Sequence, residues 1–183
     1  MLWCMIYPKC SSIIYKKYRF VTKMNEFSPQ SKVWIYQSSR FLTSIEMSQI
    51  QEKLDYFTKN WTAHNQSLKA KAEIKFASFI VFTVDESNAG ASGCSIDKSV
   101  HFLQSIENQY GIKLFDRLNF AYLNEENEVQ TLHQSQISNL YESKNICDET
   151  LFFDNLVANK SDFDERWLKP LASSWHFKMI KRN

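Results

Sequence analysis

At 183 residues the chain suits one domain of ordinary size, long enough to bury a core without disulfides or metals. A hydrophobic fraction of 44% with 15% aromatics excludes a disordered protein. The net charge of +2 is unevenly spread: residues 1–23 hold Lys9, Lys16, Lys17, Arg19 and Lys23 and no acid, which leaves 17 basic against 20 acidic residues in the remainder, the opposite balance from a general nucleic-acid or membrane-surface binder.

The opening MLWCMIYPKC is apolar but short, is broken by Pro8 and Lys9, and has no charged stretch before it. That order fits neither a secretory signal nor a membrane span. Residues 1–23 read as an upstream extension with translation starting at Met24, and residues 24–183 as a single domain; a transit or anchor peptide is the competing reading. Cys4, Cys10, Cys94 and Cys147 form no C-x-x-C pair, so neither a disulfide framework nor a zinc site is expected. Isolated thiols suit a reducing compartment, and a cytoplasmic location is expected, with no metal and no cofactor.

Lys32 to Gln37 reads as a strand. Thr43-x-x-Glu46 is a capping box opening a helix whose Met47, Ile50, Leu54, Phe57 and Trp61 form one stripe. Leu68, Ala70, Ala72, Ile74 and Phe76 then alternate with Lys69, Lys71, Glu73 and Lys75, the pattern of a strand with one buried and one solvated face. A turn at Ala77-Ser78 leads to a more buried strand, Phe79 to Val84. After the loop from Asp85 to Cys94 comes a second helix, with Ile96, Val100, Leu103, Ile106 and Tyr110 inward and Gly111 as its cap. Arg117–Leu123 and Glu128–Leu132 read as strands around the turn Asn124–Asn127. Short helices near 135–143 and 161–168 flank a further strand, Thr150–Phe153.

Strand, helix, strand, strand, helix, strand is the split βαβ pattern, so the expected class is α+β: a ferredoxin-like βαββαβ core with C-terminal helix and strand additions. That topology places the turn from Trp61 to His64 beside the loop from Gly90 to Asp97, and Arg40 and Arg117 at the opposite edge.

The loop Gly90-Ala-Ser-Gly-Cys-Ser95 sets small residues before a helix N-terminus, where free N–H groups and the helix dipole favour an anion. Gly90, Ser92, Gly93, Ser95 and Trp61 are therefore the candidate ligand-binding residues. The same dipole stabilises a thiolate, which makes Cys94 a candidate nucleophile, with His64 as base and Asp85 to orient it or to bind a cation. The plainer reading is that the glycines close a tight turn, that Ser92 or Ser95 is an N-cap, and that Cys94 fills space. No G-x-x-x-x-G-K-[ST] is present, since four residues after Gly90 lead to Ser95 with no lysine following.

The stretches VWIYQSSR, NWTAHNQSLKA, GASGCSIDKSVHF and LFDRLNFAY resemble an uncharacterised bacterial protein family that goes under the label "ABC transporter ATPase". The resemblance covers most of residues 33–175, with GASGCSIDKSV its most specific stretch. Its label implies ATP hydrolysis, yet the Walker A lysine and the signature motif of such enzymes are missing, and it brings no catalytic residues to this chain. Three functions follow as expectations: a domain that binds or processes an anionic small molecule at the Gly90–Asp97 loop; a non-catalytic module that engages a protein partner through that edge or through Trp167, Trp175 and Phe177; and, ranked last, a nucleotide hydrolase. Neither nucleic acid nor membrane is an expected partner.

Overall fold

The computed structural model describes residues 26–87 and 89–180; the expectations about residues 1–23 and a start at Met24 lie outside them. The chain is mixed α+β, with four α-helices and three antiparallel sheets among the described residues. The first sheet has the order β1-β5-β4, formed by β1 (Lys32–Gln37), β5 (Phe79–Asp85) and β4 (Lys69–Lys75). Both of its pairings are antiparallel, so the third strand in sequence inserts between the first two. A small hairpin, β2 (Thr62–Ala63) with β3 (Gln66–Ser67), precedes β4.

Helix α1 (Ser44–Lys59) starts at the capping box: Thr43 accepts from the Glu46 N–H, and the Glu46 carboxylate accepts from the Thr43 N–H. Helix α2 (Gly93–Tyr110) ends at Gly111, whose φ of 61° is the left-handed conformation glycine adopts without a Cβ clash. Both helices cover one face of the first sheet, where Ile50, Leu54, Leu103 and Ile106 pack on Ala72, Ile80 and Phe82. The opposite face, with Val33, Phe79 and Val81, meets Ala121, Leu123, Leu151 and Phe153 of a second sheet. All seven residues of β5 are buried, because this strand has a layer on each side. Each large apolar side chain so enclosed contributes roughly 1.5–3 kcal/mol.

The second sheet has the order β7-β6-β8-β9: β7 (Val129–His133), β6 (Asn119–Leu123), β8 (Leu151–Phe153) and β9 (Leu168–Pro170). Here the structure departs from the ferredoxin-like expectation. The strand expected to close the first sheet is β6, and it pairs with β7 and β8 instead of β1. Two features of the packing accompany this pairing. In β6, Phe120 and Ala121 belong to the cores on opposite faces of the second sheet, so the strand needs a layer on each side. The outer edge of β1, meanwhile, is taken by the segment 155–160: Val33 N–H donates to Ala158 O (3.0 Å), Lys160 N–H to Ser31 O (2.9 Å), and Asn155 Nδ2 to Gln37 Oε1 (3.0 Å). The open edge of β4 is closed in part by a side chain. Gln51 donates to Ala72 O (2.8 Å) and accepts from Ile74 N–H (3.1 Å), standing in for a neighbouring strand.

The far face of the second sheet is covered by α3 (Ile137–Glu142) and the 3-10 segments Leu171–Ser173 and Trp175–Met179, with Phe120, Phe152, Ile137, Ile146 and Leu171 buried between them. Helix α4 (Lys160–Arg166) adds Phe163 to the core between the sheets. The layers therefore run helices, sheet, sheet, helix and 3-10 segments. No helix among the described residues is long and apolar enough to cross a membrane.

The tight turn between β4 and β5 lies one residue earlier than its expected position, at Phe76-Ala77, and is closed by Ser78 N–H to Lys75 O (3.1 Å). Both central residues have positive φ, 52° and 51°, the signature of a type I′ turn. Phe76 thus leaves the alternating face of its strand and joins Phe79, Phe153 and Trp167 on the other side of the sheet.

Candidate functional site

The loop from Asp85 to Cys94 links the central strand to α2, and the turn after α1 lies against it. Trp61 is buried and its Nε1–H donates to Ser95 O (2.8 Å), which brings the two segments together. Ser92 is the N-cap: its Oγ accepts from Ser95 N–H (3.3 Å), and the Ser95 hydroxyl returns a bond to Ser92 O (2.8 Å). Trp61, Ser92 and Ser95 thus form one hydrogen-bonded joint.

The candidate catalytic side chains are arranged otherwise. His64 is exposed at the tip of the β2–β3 hairpin, where His64 and Asn65 both have positive φ. Cys94 is exposed at the second position of α2. Asp85 lies directly across from Lys69 in the β4–β5 register and pairs with its ammonium at 2.9 Å, while its other oxygen accepts from Ser87 N–H (3.1 Å). Lys69, together with the Ser87 side chain and N–H, holds the Asp85 carboxyl down at about 2. No hydrogen bond among the described residues joins His64, Cys94 and Asp85.

The seat before the helix has its own carboxylate. Glu86 accepts from Ala91 N–H (2.9 Å) and pairs with Lys32 (3.2 Å), so one loop donor is already matched to an anion from the chain. Neither glycine of the loop has positive φ. A Cβ on Gly90 would meet Glu86 Oε1 at 3.7 Å, and one on Gly93 would meet nothing within 4 Å. Gly93→Val is accordingly expected to change stability by less than about 0.5 kcal/mol. A melting-temperature change above about 2 °C would contradict the open space at that position.

The opposite edge offers a different kind of site. One backbone bond and one side-chain bond join the end of β1 to the segment after α2: Ser39 N–H to Lys113 O (2.9 Å), and Lys113 N–H to Ser39 Oγ (3.0 Å). Arg40 pins the corner with a two-pronged contact to Glu46 (2.7 and 3.0 Å) and a bond to Tyr110 O (2.8 Å). The guanidinium and the Thr43 N–H hold the Glu46 carboxyl at about 2. Phe41 (48% exposed) follows Arg40 and Ile45 (71%) precedes Glu46 in sequence, while Phe115 (36%) and Leu118 (48%) lie on the segment after Lys113; these are four of the six large apolar side chains exposed among the described residues. Phe115 lies edge-on to Tyr36 at 5.4 Å. Burial pushes the Tyr36 phenol up and the Arg117 guanidinium acts against it.

The C-terminal aromatics are engaged elsewhere. Trp167 is buried between the sheets, and Trp175 and Phe177 pack on the core beneath the second sheet. Among the described residues no group of three or more His, Cys, Asp or Glu side chains could hold a metal ion. No family model, curated protein or solved structure matches the chain. Exposure was the signal missing from the sequence reading: Ile45 falls off the Met47, Ile50, Leu54 stripe of α1, which marks it as turned away from the core.

Proposed function

We propose that this domain is a non-catalytic protein-interaction module that docks its partner on the corner formed by Phe41, Ile45, Phe115 and Leu118. The observation that carries this reading is that two segments joined by hydrogen bonds, 39–46 and 110–118, carry four of the six large apolar side chains exposed among the described residues. Single exposed apolar residues need no explanation, but their concentration on joined segments is what an interaction surface offers. The Arg40 clamp and the Ser39–Lys113 bonds hold the two backbone segments in place, so little ordering entropy is lost on docking. Against catalysis stands the state of Asp85, which is committed to Lys69.

The test is site-specific photo-crosslinking in cells. With p-benzoylphenylalanine in place of Phe41, one discrete adduct is expected, and adding Ile45→Asp should remove it. The same crosslinker at Tyr56, which is 74% exposed on α1, should give no such adduct and serves as the control. Equal adducts at both positions, or none at position 41 in a folded protein, would defeat the reading.

A further inference from the structure

A second concave surface lies beside β4, away from the corner just described. It is an open groove of about 540 Å³, within the range of small-molecule sites. Phe27, Leu68 and Ala70 supply apolar lining, and Lys59, Lys69 and Lys71 supply ammonium groups. Leu68 belongs to the core under the helices, and Phe27 is buried as well. The Lys69 ammonium sits 5.4 Å from the centre of the Phe27 ring, which ties the cationic side to the apolar one.

The charge state of the three lysines decides what fits. Lys69 spends one contact on Asp85 and Lys71 one on Glu73, and each ammonium has three N–H donors. Lys59, in the last turn of α1, makes no ion pair among the described residues. The one acid in the lining is Glu26, which is exposed. Residues 1–23, just upstream of this groove in sequence, hold basic residues and no acid, so that stretch supplies no counter-charge.

We propose that this groove binds an amphipathic organic anion, with its carboxylate among Lys59, Lys69 and Lys71 and its apolar body against Phe27, Leu68 and Ala70. The site is independent of the protein-docking corner and stands or falls separately from it. The experiment is an NMR titration of the full chain with octanoate, 1-octanol and inorganic phosphate. Octanoate is expected to shift the amide signals of Lys59, Ala70 and Lys71 saturably, and octanol and phosphate to bind at least tenfold more weakly. Lys59→Glu should weaken octanoate at least fivefold with an unchanged melting temperature, and Lys71→Gln should act in the same direction. Octanol binding as tightly as octanoate would mean an apolar cleft without charge selectivity. Phosphate binding as tightly would mean a simple cationic patch. Either result, or no octanoate shift at these residues in the folded protein, overturns the proposal.

Discussion

Trp167→Ala is expected to remove about 5 kcal/mol of folding stability, a large share of the 5–15 kcal/mol a domain of this kind possesses. Trp167 is 1% exposed and touches four aromatic rings, with centroids at 4.7 Å to Phe163, 5.0 Å to Phe153, 5.1 Å to Phe79 and 5.8 Å to Phe76. These rings come from α4, β8, β5 and the β4–β5 turn, so a cavity here faces both sheets at once. Truncating a buried Trp costs about 3–5 kcal/mol through lost burial and the unfilled space. Two further losses push this site to the top of that range. The indole N–H donates to Asn155 Oδ1 (3.0 Å), and Asn155 in turn donates to Gln37, so the variant loosens the polar link between the covering segment and β1. Phe76 also holds a left-handed backbone conformation that a bulky residue rarely adopts, and its packing on this cluster offsets that strain. Urea denaturation should show the midpoint falling steeply, with a melting temperature lower by about 10–20 °C. Trp167→Phe should cost far less, about 1–2 kcal/mol, because it keeps most of the ring and gives up the hydrogen bond. A loss below about 2 kcal/mol in the alanine variant would show that the sheets do not depend on this cluster.

The first half of the fold could be read from the sequence because its signals are local. The capping box at Thr43 and Glu46 and the cap at Gly111 each lie within a few residues and the structure holds both, while the stripe from Met47 holds as far as Phe57 and Trp61 lies beyond the end of α1 at Lys59. The split order β1-β5-β4 follows from the alternation in β4 and the continuous apolar run of β5. The second sheet was hidden, because Phe120, Ala121, Tyr122 and Leu123 read as a buried strand whichever sheet receives them. What decides between the sheets is occupancy of the outer edge of β1 by residues near Ala158, more than a hundred positions away. The turn at Phe76-Ala77 lacks glycine and asparagine, the usual markers of positive φ, so its place was misread by one residue. The candidate site divides the same way. The adjacency of Trp61 and Ser95 follows from topology, whereas the Lys69–Asp85 pair requires the strand register, and the exposure of Phe41 and Phe115 requires the whole packing.

Acidification is expected to weaken the fold between about pH 6.5 and pH 4 through His176. The imidazole is 1% exposed, stacked on Trp175 at 3.9 Å and enclosed by Phe120 (4.6 Å) and Phe152 (5.1 Å). Its Nδ1 shares a hydrogen bond of 2.6 Å with the Ser174 hydroxyl. Burial among these rings pushes the pKa down to about 4; the Asp154 carboxylate pulls it up and the Lys169 ammonium pushes it down, and both of those effects are smaller. Asp154 is itself committed to Lys169 (2.6 Å) and to the Trp175 indole (2.9 Å), so it does not turn toward an imidazolium as a dedicated partner. The sign follows from linkage. The unfolded chain binds a proton at His176 near pH 6.5, and the folded chain only near pH 4. Above pH 6.5 both states are neutral and the residue adds no pH dependence. As the pH falls from 6.5 to 4 the unfolded state takes up the proton first, and stability declines by up to about 3 kcal/mol. Asp85 and Glu46, held at about 2, act in a lower window, as the pH falls from about 4 to 2. Urea titrations at pH 7, 6, 5 and 4.5 should therefore show a slope that approaches one proton, about 1.4 kcal/mol per pH unit, and His176→Phe should flatten it. Because the ring anchors the segment Trp175–Met179 to the second sheet, the amides of that segment should lose hydrogen-exchange protection before those of β5. A wild-type stability that stays flat from pH 7 to pH 5, or a His176→Phe protein that keeps the slope, would assign the acid response to other groups.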